Sequence, residues 1–143
     1  MLVTFCGHIH VANSDTVANN LQKVIFDLIA EGADEFYLGG YGEFDSMAAA
    51  AVRKAKSLHP HIRSILVIPY LGRDYDPMYY DGSVYPPLET VPRRYAISKR
   101  NEWMVVNADV VVSCVTHGWG GAATTLAYAK RKKKRIISVA PEE

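Results

Sequence analysis

Asp109-Val110-Val111-Val112-Ser113-Cys114-Val115, followed by Thr116-His117-Gly118-Trp119-Gly120-Gly121 and Ala122-Ala123-Thr124-Thr125, decides how this chain is read. Residues 109–115 are its most hydrophobic run, short and β-branched, which fits a strand better than a helix. An apolar run without alternation belongs to a parallel strand covered on both faces. Glycines then break the strand, and the spacing from 122 onward predicts a helix through Lys130. Strand, glycine-rich loop and helix in that order make a β-loop-α unit.

Outward from this unit the same alternation recurs. Leu2 to Cys6 reads as a strand ending at Gly7, and Val17, Leu21, Val24, Ile25, Leu28 and Ile29 recur at helical spacing within residues 16–31. Gly32-Ala33-Asp34 ends that helix, residues 35–38 form a second strand, and Gly39-Gly40-Tyr41-Gly42 makes a turn. Asp45 or Ser46 can cap the next helix, which Pro60 stops, and residues 64–69 form a third strand. Residues 70–92 hold no period and carry Pro77, Pro86 and Pro87 among five tyrosines, which predicts a long loop. Arg93 to Asn107 returns to helix, and residues 135–140 close the series. Five β units alternating with four α units imply right-handed crossovers. The expected fold is α/β, a Rossmann-like three-layer sandwich with a mostly parallel five-stranded sheet, in a single domain over residues 1–143.

Composition supports this and removes other classes. The chain has 143 residues, 49% hydrophobic and 22% charged, which excludes a rod or wholesale disorder. Sixteen Lys and Arg against fifteen Asp and Glu give a net charge of +1, so no global field grips a polyanion. Nucleic acid is therefore disfavoured as a partner, and so is a membrane. The basic run Lys130 to Arg135 reads as a helix end that favours the dipole and solubility. Cys6 and Cys114, each in an apolar run, read as reduced thiols, and with no basic leader before the first apolar run the expectation is a cytoplasmic protein.

Ligands of such sheets bind beyond the carboxyl ends of the strands, at the switch in strand order. Three loops leave those ends, and they converge if the first strand neighbours the one at 109–115. Gly118, Gly120 and Gly121 let a backbone approach an anion, with Thr124 and Thr125 as hydroxyl donors. Gly40 and Gly42 lead to Glu43 and Asp45, whose carboxylates suit ribose hydroxyls or general-base work, unless these glycines only make turns and Asp45 only caps a helix. Gly7, His8 and His117 face the same cleft as polar groups, and Tyr41 or Trp119 can stack on a base. The Walker pattern is missing and the dinucleotide fingerprint fails, because Asp45 stands where its third glycine belongs. Two His-x-His pairs, His8 with His10 and His59 with His61, lack a nearby third ligand, so no metal site and no cofactor are expected.

Together, Gly7-His8, Gly-x-x-Asp-x-x-Ala-Ala from Gly42 to Ala49, Arg-Asn-x-x-Met from Arg100 to Met104, Gly120-Gly121 and Tyr128-Ala129-Lys130 resemble the SLOG superfamily, most of all its YpsA-like branch. The likeness covers nearly the whole chain and implies a homo-oligomer with a pocket for a nucleotide or an ADP-ribose-like ligand. Against the related Lonely Guy phosphoribohydrolases, Arg100 keeps the position of a functional arginine before Asp109. Thr124 keeps a phosphate-binding threonine, while Ala127 stands where a catalytic glutamate belongs. Either the chain binds without cleaving, or Glu43, Asp45 or Glu102 supplies the carboxylate, or 127 carries an inactivating substitution.

The expected function is accordingly a sensor or sequestering protein for such a ligand, its phosphate on Gly120, Gly121, Thr124, Thr125 and Arg100. The alternatives are an N-glycosidic hydrolase or deoxyribosyl transferase using Glu43, Asp45 and Arg100, and a regulatory interaction module.

Overall fold

The computed structural model describes residues 1–72 and 75–142. Its elements run β1 (Leu2–Gly7), α1 (Ser14–Ala30), β2 (Glu35–Leu38), α2 (Glu43–Leu58), β3 (Arg63–Val67), β4 (Gly82–Val84), a 3-10 turn (Arg93–Tyr95), α3 (Ala96–Asn107), β5 (Val110–Cys114), α4 (Gly121–Arg131) and β6 (Arg135–Ser138). All pairings are parallel, in the order β4-β3-β2-β1-β5-β6. The α/β Rossmann-like sandwich is therefore present. The order reverses between β1 and β5, which pair from Val3 opposite Val110 to Gly7 opposite Cys114. The expected adjacency of the first strand with the 109–115 run is what creates the switch point.

Each strand alternates its side chains between two helical layers. Val3, Phe5, Phe36 and Leu38 join Val110 and Val112 in the larger core, where Leu21, Ile25 and Leu28 of α1 and Phe44, Ala48 and Val52 of α2 cover them. Cys6 and Val111 face the other way, onto Val105 of α3 and Ala129 of α4. On that face Tyr37 also stacks on Trp103, with ring centroids 5.6 Å apart. Both cysteines are free and buried. Among the described residues no helix is long and apolar enough to cross a membrane.

The sheet has six strands where five were expected. Within the segment read as loop 70–92, of which residues 73 and 74 lie outside those described, Gly82–Val84 pairs with Ile65, Leu66 and Val67 of β3. Three residues are too few to show a period, so the strand was invisible in the pattern. It is pinned from outside the local window. Asp81 accepts the Ser64 amide through Oδ2 at 2.8 Å, donates its own amide to the Ser64 carbonyl at 2.8 Å, and pairs with Lys56.

Helix starts also differ from the reading by side-chain caps. Gly42 occupies the position before α2, at φ 94°, and neither Asp45 nor Ser46 caps it. Asp45 Oδ2 accepts the Tyr41 amide at 3.0 Å instead, and Ser46 Oγ donates back to the Gly42 carbonyl. Residues 93–95 form a 3-10 turn ahead of α3 instead of its first turn.

Candidate functional site

A cavity of about 480 Å³ opens above the carboxyl ends of β1 and β5, at the strand-order reversal. The end of β1 supplies Gly7 to its wall, and the loop after it His8, Ile9 and His10. The turn after β2 supplies Tyr41, the first turn of α2 supplies Asp45, and the loop after β5 supplies His117, Trp119 and Gly120. Gly121, Ala122 and Thr125 come from the first turns of α4. One face of α3 closes the side with Ile97, Arg100, Asn101 and Met104, spaced i, i+3, i+4 and i+7.

Three rings from the two ends of the chain stack inside it. His8 lies on His117 at 3.6 Å and 14°, and His117 lies on Trp119 at 3.8 Å and 18°. The Thr116 amide donates to His8 Nε2 at 2.9 Å, which requires that nitrogen to be unprotonated. Burial, and then the neighbouring His117, push the His8 pKa below its ordinary value, so the innermost ring is held neutral. His117 Nδ1 is buried and has no hydrogen-bond partner among the described residues. Trp119 ends the stack with 72% of its surface exposed, and Tyr41 at 60% and Ile9 at 51% share the rim. An exposed aromatic face beside apolar neighbours marks a contact surface for something planar.

Beside this stack stands the start of α4. Gly120 takes φ 90°, a conformation that favours glycine, and turns the loop into the helix. The first intrahelical bond runs from the Thr124 amide to the Gly120 carbonyl, so the amides of Gly121, Ala122 and Ala123 precede the ladder. A Cβ at Gly118, Gly120 or Gly121 would meet nothing within 4 Å, which leaves that backbone open to close approach. Oriented amides at a helix start attract an anion. The hydroxyl protons are committed elsewhere: Thr124 Oγ1 donates to Gly120 O and Thr125 Oγ1 to Gly121 O.

Arg100 does not extend its charge into open solvent. It is 2% exposed, and its Nη1 donates to the carbonyls of Gly39 at 2.9 Å and Val67 at 2.8 Å. Its Nε donates to Asn101 Oδ1. The guanidinium thus ties the ends of β2 and β3 to α3. Asp45 and Arg100 both crowd Gly39, where a Cβ would meet Asp45 Oδ2 at 3.1 Å and Arg100 Cζ at 3.3 Å. Burial raises the Asp45 pKa to about 6, and the Tyr41 amide and Arg100 only partly offset it. Burial likewise pushes the Cys6 thiol up to about 12, so this cavity-wall sulfur stays protonated at neutral pH.

Of the residues singled out from the sequence, the fold gathers Gly7, His8, Tyr41, Asp45, Arg100, His117, Trp119, Gly120, Gly121 and Thr125 around one cavity. Gly40, Gly42, Glu43, Gly118 and Thr124 are not on its wall. Two glycines serve packing: a Cβ on Gly7 would fall 2.3 Å from the Phe44 ring, and one on Gly42 would fall 2.9 Å from Ile9 Cα. Ala127 is exposed on α4 and absent from the wall, so a carboxylate there would not face the cavity in this chain. Ile97 and Asn101 were missed, although Arg100 and Met104 fall on the same helical face. Ile9 carries no local signal, and His10 was noted only in its pair with His8. Among the described residues no group of three or more His, Cys, Asp and Glu is placed to hold a metal ion.

No family model matches the chain, and no curated protein matches it. Solved structures do share its fold. DNA processing protein A from Helicobacter pylori, described for its unique single-stranded DNA binding mode, superposes with a TM-score of 0.72 at 16% identity, over 100% of this chain and 66% of that one. DNA processing protein A from Streptococcus pneumoniae gives 0.68 at 18% identity, over 99% and 50%. The Moco carrier protein from Chlamydomonas reinhardtii gives 0.58 at 18% identity, over 96% and 74%. The chain thus spans 66% and 50% of the lengths of the two DNA processing proteins. At these identities the likeness shows the Rossmann-like fold alone.

Two expectations are corrected by these neighbours. The reading of a nucleotide or ADP-ribose-like ligand, bound or cleaved, gives way because the fold is shared with DNA processing proteins, one of them characterised by how it binds single-stranded DNA. The exclusion of nucleic acid as partner falls with it. Net charge had argued against a polyanion, but it describes the far field, whereas stacking and oriented amides act locally.

Proposed function

We propose that this chain binds single-stranded DNA in the cleft above β1 and β5, as a SLOG-type module of the YpsA-like branch. The observation that carries the reading is the His8–His117–Trp119 stack, which ends in an exposed indole beside the open start of α4. One base stacks on Trp119, backed by two rings that cannot swing away without losing each other. The adjoining phosphate meets the amides of Gly121 and Ala122, and Tyr41 and Ile9 flank the base from the opposite rim. Stacking accepts any base, so the mode is tolerant of sequence. Arg100 and Asp45 shape the floor, Arg100 by holding the ends of β2 and β3 in place. Glu43 has no part in the contact. The motifs Gly7-His8, Gly42 to Ala49, Arg100 to Met104 and Gly120-Gly121 support the branch.

Trp119 reports on this contact directly. In a Trp103→Phe background, which keeps a ring against Tyr37, titration with oligo-dT should quench the remaining indole. Trp119→Ala should weaken binding about 10- to 100-fold, since a stacked base is worth about 1–3 kcal/mol. Absence of binding to single strands at low salt would refute the function. Binding without quenching would move the site away from Trp119.

A further inference from the structure

A second, smaller cavity of about 280 Å³ lies beyond the carboxyl end of β3, walled by Tyr70, Leu71, Tyr85, Glu89, Arg93 and Ala96 among others. Ala96 walls this cavity and Ile97 walls the first, so the two flank the opening turn of α3. Two arginines stand at that turn, each laid on a tyrosine. Arg93 Cζ is 4.3 Å from the centre of the Tyr70 ring, whose hydroxyl donates to the Arg93 carbonyl at 3.3 Å. Arg94 Cζ is 4.8 Å from the centre of the Tyr95 ring, which is 49% exposed.

We propose that Arg93 and Arg94 are a phosphate-contact step for the same DNA strand, taking its backbone as it leaves the Trp119 cavity over the first turn of α3. This rests on the single-strand reading of the cleft. Both arginines are exposed, and neither has an ion-pair partner among the described residues. Their neighbour Lys99 is already paired with Glu102 at 3.1 Å. A guanidinium stacked on a ring has given up much of its rotamer freedom before binding, while its N–H edge stays available for phosphate oxygens. Among the described residues Glu89 is the acidic side chain on the second cavity's wall, which directs the strand along the arginine side.

The other basic feature does not lie on this path. Lys130 to Arg135 sits at the opposite end of the sheet, where β6 begins beside Val110. There Lys134 Nζ donates to the carbonyls of Val106 and Ala108, and Arg135 pairs with Glu31.

The test compares a short strand, dT4, with a longer one, dT15, on the full chain and on the double variant Arg93→Gln with Arg94→Gln. For single strands log K falls with log salt by about 0.7 per phosphate contact. Loss of two contacts should make the dT15 slope shallower by about 1.4 while leaving Trp119 quenching by dT4 unchanged. The pair Arg93→Lys and Arg94→Lys should restore most of the slope, which a mere folding defect would not. An unchanged dT15 slope in the Gln variant, with wild-type binding intact, overturns this step alone. Wild-type protein that binds neither strand overturns the step together with the reading of the cleft.

Discussion

Replacing Asp45 by asparagine probes the floor of the cleft. Burial raises this carboxyl from 3.8 to about 6 in the folded chain, against the pull of the Tyr41 amide and the Arg100 charge. At about 1.4 kcal/mol per pKa unit, that difference corresponds to about 3 kcal/mol. The folded state holds the proton more tightly than the unfolded state between about pH 4 and pH 6, so the group's contribution to stability falls as pH rises through that window. Above it, the ionised carboxylate costs the full amount. Asparagine can still accept the Tyr41 amide but carries no charge. Urea unfolding of both proteins at pH 4 and pH 7.5 should therefore show their stability difference shift by about 2.5 kcal/mol in favour of Asp45→Asn at the higher pH, the remainder of the change lying below pH 4. The remaining titrating groups are common to both and cancel. A difference that stays flat, or shifts the other way, would mean that Arg100 keeps Asp45 ionised and would refute the argument from burial.

Gly7→Ala should cost about 1–3 kcal/mol in thermal or chemical unfolding, because its Cβ would fall 2.3 Å from the Phe44 ring and the ring is fully buried. A neutral outcome would show that the end of β1 has room the geometry does not indicate. Arg100→Ala should cost about 3–5 kcal/mol, since it strips the Gly39 and Val67 carbonyls of a charged donor at a buried site. Urea unfolding reads it, and a stable variant that merely loses DNA binding would return Arg100 to the role of ligand contact.

Much of this architecture was legible because its signals are local. The runs at 2–6, 35–38, 64–69 and 109–115 read as strands from apolar content and breakers, and α1 and α2 from a 3.6-residue period. The strand at Gly82–Val84 did not, because three residues between prolines hold no period, and pairing with β3 is what orders them. The Gly-rich turns were recognised, but that Gly7 and Gly42 leave room for Phe44 and Ile9 was not. Arg100 was assigned to a phosphate because it keeps, before Asp109, the spacing of a functional arginine in the phosphoribohydrolases it resembles. Only the positions of the Gly39 and Val67 carbonyls reveal where its protons go.

By itself, then, the sequence determined the class of fold, the parallel character of its sheet and the loops from which a site would be built. Each of these follows from residues within one helix or strand of one another. Tertiary structure decided the sheet order that sets β1 against β5, and with it the stacking of His8 on His117 and Trp119. It also decided that Asp45 is half-buried and desolvated and that the Thr124 and Thr125 hydroxyls are spent. The physical reason is that stacking, desolvation and hydrogen-bond satisfaction depend on which groups meet across the fold, and no window of sequence contains both partners.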